Sequence, residues 1–510
     1  MKFSLRTFLQ ALFLLVIVLG VYFSFADFAS LKFNTADAST YLNIAENIAT
    51  HHGFVVSYDL YQSFTGLYHP VWPYMQSLYP VLFSIVFMLH GGLEQVIKLN
   101  ILIFGINAAL IFYIVQRLIP TSFNILFSFF LVISLNFYIS ALYAWTEQLH
   151  FFCLIVTFIL FLRFKDHWRH LLWLGALNGI FMMIRTAHLY NFLAFIPVIF
   201  IGKDTLSQKF NRVFSFIGGF VVAYGLYQLF CFLSCHAFYP EYARSAVSYS
   251  MAHFDSGVVY DLKRVGFQAP LVPFFTLQHF LYIGQHLEDF YKQMPNFLWP
   301  ALFYYFLPIN KRAEGGIIEL CFFQSIFTCL GYSLTFYWLR DSFDSLRYSM
   351  IPYVLISVVG WYSLYQGLQI SASMGRKLFG LLVLACLFIS PQVHKFITFR
   401  DNVLGHPYME TRLYRDLMAS CHWIDKNLPK EILVASSENQ QGYFMHRPFI
   451  PWPPGKSCSC TNLILYNRIY SPDYYLMPSR MSDECFSSIP HAKIFSNQTF
   501  KILEIKKNPK

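Results

Sequence analysis

The sequence predicts an all-α polytopic membrane protein of about eleven to thirteen transmembrane helices with a re-entrant pair, plus a small C-terminal extracytoplasmic α/β domain. Three observations predict it. Of 510 residues, 56% are hydrophobic and only 13% are charged. The apolar residues fall in long uninterrupted runs, and about 20 such residues are needed for a helix to cross a bilayer. The basic residues form short clusters between those runs, which is the pattern of topology determinants. That distribution also accounts for the net charge of +10 without nucleic acid as a partner.

In chain order, Lys2 and Arg6 precede an apolar stretch at 7–28. No A-x-A site closes that stretch; Ala26, Ala29 and Ser30 are the nearest small residues. It is read as an uncleaved first span with its N-terminus inside. The loop 29–73 is then outside, and spans follow near 74–90 and 97–117. The inner face is marked by Arg163 to Lys165 with Arg169, by Lys203 to Arg212, by Lys311 and Arg312, and by Arg376 and Lys377. Keeping these inside gives spans near 148–163, 170–184, 187–202, 213–235, 296–308, 316–338, 348–367 and 377–394. Residues 119–146 must then leave and return on one side. They are too few for two crossings, so they are expected to form a re-entrant pair of short helices.

Residues 236–295 form a second outer loop with an amphipathic helix in FFTLQHFLYIGQHLEDFY, and 339–347 form a short charged loop. The transmembrane domain is thus expected to cover 1–394 and the extracytoplasmic domain 395–510. In the latter, TRLYRDLMASCHWIDKNLP has helical spacing of apolar residues. The runs EILVAS, NLILY and TFKILEI read as strands, and PFIPWPPG reads as a turn. Among the ten cysteines, Cys153, Cys231, Cys235, Cys321, Cys329 and Cys386 sit in apolar runs as packing residues. Cys421, Cys458, Cys460 and Cys485 lie in the C-terminal part, where oxidised or free thiols are favoured over a metal site.

On the outer side isolated polar residues gather at span ends: Asp37, His69, Glu147, Arg185, Arg340, Asp341, Asp344 and Arg347. Charges near membrane depth cost a few kcal/mol unless paired or solvated, so their convergence implies a polar cavity. Tyr41, Ile44, Ala45 and Ile48 recur at helical spacing, which predicts an amphipathic helix over 36–50 lying on the membrane, with Glu46 solvated. Asp37 falls in its first turn, where a plain helix N-terminal acid is the structural alternative. His69 precedes the prolines of HPVWP, and His51 and His52 fall in a solvated turn before Gly53. Glu147 follows Trp145, and Arg185 closes a tight helical hairpin, so a Glu147–Arg185 pair is the structural alternative there. Arg340 and Arg347 suit a phosphate, while pairing with Asp341 and Asp344 is the alternative.

Taken in order, these residues resemble the GT-C glycosyltransferases that use polyprenyl-phosphate sugars. That branch includes the dolichyl-phosphate-mannose–protein mannosyltransferases and the lipid A aminoarabinose transferases. The pattern is an acid and then a Tyr after the first span (Asp37, Tyr41), a Pro motif opening the second (His69 to Pro73), and an acid in aromatic context (Trp145, Glu147). An Arg closing a hairpin (Arg185), an Arg-Tyr opening a late span (Arg347, Tyr348) and a W-I-x-x-N-L-P stretch (Trp423 to Pro429) complete it.

The resemblance implies an inverting transfer at the outer face of the cytoplasmic membrane, from a polyprenyl-phosphate donor to a lipid, glycan or protein acceptor. It implies Asp37 as catalytic base, with His69, Arg185, Arg340 and Arg347 on the donor phosphate. Tyr41, Glu147 and Tyr348 would support the site. Two positions depart from the family pattern: Ala38 stands where many relatives carry Glu, and His69 where many carry Lys. Some relatives use a divalent metal, and no spacing here assigns one. A transporter or flippase of a lipid-linked substrate is the alternative, but it calls for mid-span polar residues and internal repeats. An acyltransferase calls for a membrane-buried histidine, and none of the 17 stands out from its surroundings.

Overall fold

A computed structural model of the chain describes residues 5–23, 36–54, 77–119, 124–132, 140–141, 146–201, 204–235, 277–293, 301–302, 304, 316–335, 345–370, 412–436, 445, 449–451, 467, 471–479, 486–487 and 489–506. His69, Arg340, Asp341, Asp344, Cys458, Cys460 and Cys485, the expected span 377–394 and the run NLILY lie outside the described residues. By internal contact the chain divides into two compact units.

The first unit is helical. It contains α1 (Leu5–Phe23), most of α4 (Leu93–Leu118), α5 (Asn124–Val132), α6 (Glu147–Phe164), α7 (Trp168–Phe181), α8 (His188–Ile201) and most of α9 (Leu206–Cys235). It continues with α10 (Leu277–Gln293), α11 (Ile317–Thr335), α12 (Ser345–Tyr348) and α13 (Met350–Ile370). Among the described residues, four helices are long and apolar enough to cross a membrane, namely α4, α6, α9 and α11. Apolar helices too short for that test cover Thr7–Gly20 and His188–Ile201. Each of these falls on a stretch read as a span, because apolar run length is a local property of the chain.

The α6–α7–α8 hairpins point successive helices in opposite directions. Arg163 and Lys165 at the end of α6 and Arg169 at the start of α7 therefore share one end of the bundle. Arg212 reaches Asp204 at 2.7 Å and Asp166 at 3.8 Å, which ties the next turn to the same end. Glu147 and Arg185 fall at the other end, about 27 Å away by helix rise.

The stretch expected to be re-entrant carries α5, nine residues or about 13 Å long and too short to cross. Farther along, Asn100 on α4 donates its amide to the carbonyls of Ser140 (3.0 Å) and Ala141 (3.2 Å). Gln148 donates to the Ser140 hydroxyl at 2.6 Å, and Asn107 donates to Gln148 Oε1 at 3.0 Å. The buried Ser140 and Ala141 carbonyls are thus met by a protein amide in place of water.

Close packing sets the distance between α7 and α9. A Cβ on Gly175 would lie 1.9 Å from the Phe216 carbonyl oxygen, and one on Gly219 would lie 1.9 Å from that of Leu172. Small residues let the two backbones touch, which is how helices associate where lipid removes the hydrophobic drive.

The second unit holds α2 (Ala36–Ala49), α3 (Leu78–Met88), α14 (Arg412–Asn427) and a five-stranded sheet. Helix α2 forms where expected but does not lie with one face in solvent. Ala38, Thr40 to Ala45 and Asn47 are buried, Glu46 is half-buried, and α2 packs along α3. Tyr41 meets Tyr79 edge-on at 5.1 Å, and Tyr79 stacks on Phe83 at 4.3 Å. The expectation of a surface helix fails because Thr40, Asn43 and Asn47 look polar in sequence yet are enclosed; the Asn47 amide donates to Asn43 at 3.4 Å. His51 takes φ 63° and ends the helix in an exposed turn before Gly53, as expected.

The sheet comprises β1 (Val434–Ser436), β2 (Phe449–Pro451), β3 (Tyr474–Pro478), β4 (His491–Ser496) and β5 (Phe500–Ile505), in the order β2-β1-β3-β5-β4. Strand β1 is parallel to β2 and β3, and β5 is antiparallel to β3 and β4. Leu417, Cys421 and Ile424 of α14 recur at helical spacing and bury against Val434, Met445, Leu476, Phe500 and Ile502. The PFIPWPPG stretch is corrected here, since its start is the strand β2. Proline is tolerated at a sheet edge, where its missing N–H breaks no ladder bond, and β2 is an edge. Cys421 is buried in this core, and burial pushes its thiol pKa up.

Gly219→Leu is expected to destabilise the protein by about 1–3 kcal/mol or more, read as a lower Tm in detergent. Gly218→Leu, whose Cβ would meet nothing within 4 Å, is expected to leave the Tm unchanged. Equal Tm values for the two variants would refute the α7–α9 contact.

Candidate functional site

One buried charge cluster stands at the end of the helical unit away from the basic turns. Its centre is Glu147, the first residue of α6, which is 3% exposed. Arg185 lies in the tight connection from α7 to α8, where Met183, Ile184 and His188 each bond back three residues. That tight turn aims the guanidinium at the start of α6. Arg185 Nη1 donates to Glu147 Oε1 at 2.5 Å and to Thr146 Oγ1 at 2.9 Å, and Arg185 Nε donates to the Tyr332 hydroxyl at 2.9 Å. Arg347, on the short helix α12, donates its Nε to the same Glu147 oxygen. Both guanidinium groups face the Tyr348 ring, at 5.6 Å for Arg185 and 5.8 Å for Arg347, and Tyr348 stacks on Tyr332 at 4.5 Å.

The electrostatics follow from this geometry. One carboxylate oxygen is shared by two guanidinium groups, so these three side chains carry one net positive charge. The second oxygen, Glu147 Oε2, is buried without a hydrogen-bond partner among the described residues. A lone buried carboxylate is costly, and so is a lone guanidinium; the arrangement stands because each neutralises the other. The aromatic faces of Tyr332 and Tyr348 add cation–π attraction. Two basic groups held about one anionic point are suited to a ligand with several anionic oxygens.

The Glu147–Arg185 pair read from the sequence forms. Arg347 joins it; the loop partners considered for it, Asp341 and Asp344, lie outside the described residues. Tyr348 is part of the cluster. Asp37 lies in the first turn of α2 and Tyr41 is buried on the same helix. His69 and Arg340 fall outside the described residues. Among the described residues no three His, Cys, Asp or Glu side chains gather as a metal site.

The structure also corrects the reading that no histidine stands out in the membrane region. His150 on α6 and His188 on α8 are 1% and 0% exposed, and their rings face each other with 3.1 Å between His150 Nε2 and His188 Nδ1. The signal was present in sequence as spacing. Each histidine follows a charged residue of the cluster by three positions: Glu147 and His150 share one face of α6, and His188 bonds back to the carbonyl of Arg185.

ArnT from Cupriavidus metallidurans bound to undecaprenyl phosphate aligns at 10% identity and a TM-score of 0.54, over 96% of this chain and 97% of its own. The archaeal oligosaccharyltransferase AglB from Archaeoglobus fulgidus, in complex with an inhibitory peptide and a dolichol-phosphate, aligns at 11% identity and a TM-score of 0.51. That match covers 93% of this chain and 70% of AglB. The chain has the GT-C glycosyltransferase fold. No protein-family model matches its sequence, and no curated protein does. At such low identity the GT-C likeness concerns the path of the backbone, and the roles of individual side chains rest on their own geometry.

Glu147→Ala leaves two buried guanidinium groups without their carboxylate. It is expected to destabilise the GT-C unit by about 3–5 kcal/mol, measured as a fall in Tm of the purified protein. Arg347→Lys keeps the charge but loses the planar fork, so a smaller fall is expected.

Proposed function

We propose that this protein is an inverting glycosyltransferase that moves a sugar from a polyprenyl-phosphate donor to an acceptor at the outer face of the cytoplasmic membrane. The observation that carries the reading is the gathering of Arg185 and Arg347 on Glu147 at the end of the bundle away from the basic turns. The GT-C fold supports it, because a structure of that fold is solved with undecaprenyl phosphate and another with a dolichol-phosphate. The topology follows from the charge pattern. The basic turns remain in the cytoplasm, and both the cluster and the C-terminal α/β domain are outside.

In this reading the donor's lipid tail lies between helices and its phosphate at the level of Arg185 and Arg347, with His69 and Arg340 as further ligands. Asp37 accepts the proton of an acceptor hydroxyl or amine. The freed electron pair attacks the anomeric carbon from the face opposite the phosphate. The carbon–oxygen bond to phosphate breaks, and polyprenyl phosphate leaves carrying the bond electrons. In-line displacement inverts the anomeric centre. The leaving phosphate is weakly basic and needs neutralising charge in place of a proton, which is the role of the guanidinium groups. Glu147, Tyr348 and Tyr41 shape the site: Glu147 by spacing the two arginines, Tyr348 by covering them, and Tyr41 by seating the helix that carries Asp37. The acceptor is a lipid, a glycan or a protein side chain.

A general base contributes about 10²–10⁴ in rate. Asp37→Asn is therefore expected to reduce transfer by at least about a hundredfold while the Tm stays unchanged, assayed in proteoliposomes holding donor and acceptor on one side. Full activity in that variant would remove Asp37 from the chemistry. Lipid movement without cleavage of the sugar–phosphate bond would identify a flippase. Mass spectrometry of envelope lipids and glycoproteins, with and without the protein, would name the sugar and its acceptor.

A further inference from the structure

Beneath the charge cluster lies a second polar layer, built from residues with no part in the proposed chemistry. His188 Nε2 donates to Asn178 Oδ1 at 2.8 Å, and the Asn178 amide donates to the Leu174 carbonyl at 2.7 Å. Because Nε2 carries the proton, His188 Nδ1 is an acceptor, and His150 Nε2 donates to it across 3.1 Å. The Asn191 side-chain amide sits 3.0 Å from His150 Nε2 and 2.8 Å from the Thr328 hydroxyl, which donates its single proton to the Gln324 carbonyl at 2.6 Å. With its NH₂ turned toward Thr328, the Asn191 side-chain oxygen and His188 Nδ1 both face the single Nε2 proton of His150, which the two acceptors share. Gln324 then donates its side-chain amide to the Asn191 carbonyl at 2.7 Å. Four helices, α6, α7, α8 and α11, are joined by this network, and every side chain in it is buried.

Its placement repeats. On α6, His150 is one turn from Glu147. At the start of α8, His188 follows Arg185 of the α7–α8 connection by three residues, and its N–H bonds back to the Arg185 carbonyl at 2.9 Å. On α11, Thr328 is one turn from Tyr332, which accepts the Arg185 Nε–H. Two helices, α6 and α11, and the connection leading into α8 thus each carry one residue of the lower layer about one turn from one residue of the cluster. We infer that the His150–His188–Asn191–Thr328 layer is the positioning device of the Glu147–Arg185–Arg347 cluster, setting the register in which Arg185 meets Glu147 and Tyr332. Directional bonds carry this better than apolar packing would, because apolar contacts tolerate small slides between helices while hydrogen bonds of fixed length and angle do not. The consequence for donor binding rests on the proposed function, in which Arg185 holds the lipid phosphate; the consequence for the cluster itself does not.

The test uses the purified full chain with Tm and undecaprenyl phosphate binding as two readouts. In wild-type protein and in His150→Phe, Glu147→Ala and the double variant, the Tm losses are expected to combine less than additively, since Glu147 has less to lose once its register is gone. His150→Phe is expected to weaken undecaprenyl phosphate binding at least tenfold, and His150→Gln, which restores a donor near Nε2, to recover most of it. A purely structural histidine would lower Tm without this rescue of binding. If His150→Phe does not fold, Thr328→Val removes one link at equal volume and enters the same cycle with Glu147→Ala. Additive Tm losses overturn the inference. Wild-type protein that binds no polyprenyl phosphate overturns the reading of Arg185 as a phosphate ligand, and the Tm cycle then decides the positioning role by itself.

Discussion

The helical unit depends on one constraint, which is that the Glu147 carboxylate is buried at the end of a membrane helix. Such a charge is tolerable only with cations beside it, and the cations must come from elsewhere in the chain. Arg185 arrives from the α7–α8 turn and Arg347 from α12, just before α13. Satisfying one carboxylate therefore fixes where a hairpin tip and the start of a late helix must lie. The stacking of Tyr348 on Tyr332 closes the same point from α11.

The rest of the bundle is consistent with this demand. The α7–α9 contact is made by glycines that let backbones touch, which leaves α6 and α8 to carry the polar groups. The His150–His188 layer then links α6 to α8 one turn inside the charges. Polar side chains in this region meet one another across several helices.

The C-terminal sheet is a different kind of construction. Its core is amphipathic in the ordinary soluble sense, with α14 laying Leu417, Cys421 and Ile424 on strands β1, β3 and β5. TFKILEI and EILVAS were legible as strands because they are β-branched and continuous. Tyr474–Pro478 and Phe449–Pro451 were not, because both are poor in β-branched residues and end in proline; in the sheet β3 is central and β2 is an edge. Helix α2 shows the opposite failure. Its helical period was plain, but Thr40, Asn43 and Asn47 signalled a solvated face that α3 and its neighbours in fact enclose.

By itself the sequence determined the membrane class, the positions of the apolar helices, the end of each helix that carries basic residues, and the presence of outlying charges. All of these are properties of local composition and run length, which act within one helix or one turn. Tertiary structure decided which charges meet. That Arg347 shares the oxygen that Arg185 uses, that two histidines far apart in the chain face each other, and that a proline-rich stretch forms an edge strand are all non-local facts. Each depends on the cost of an unpaired buried polar group, and that cost is settled only when distant segments are brought together.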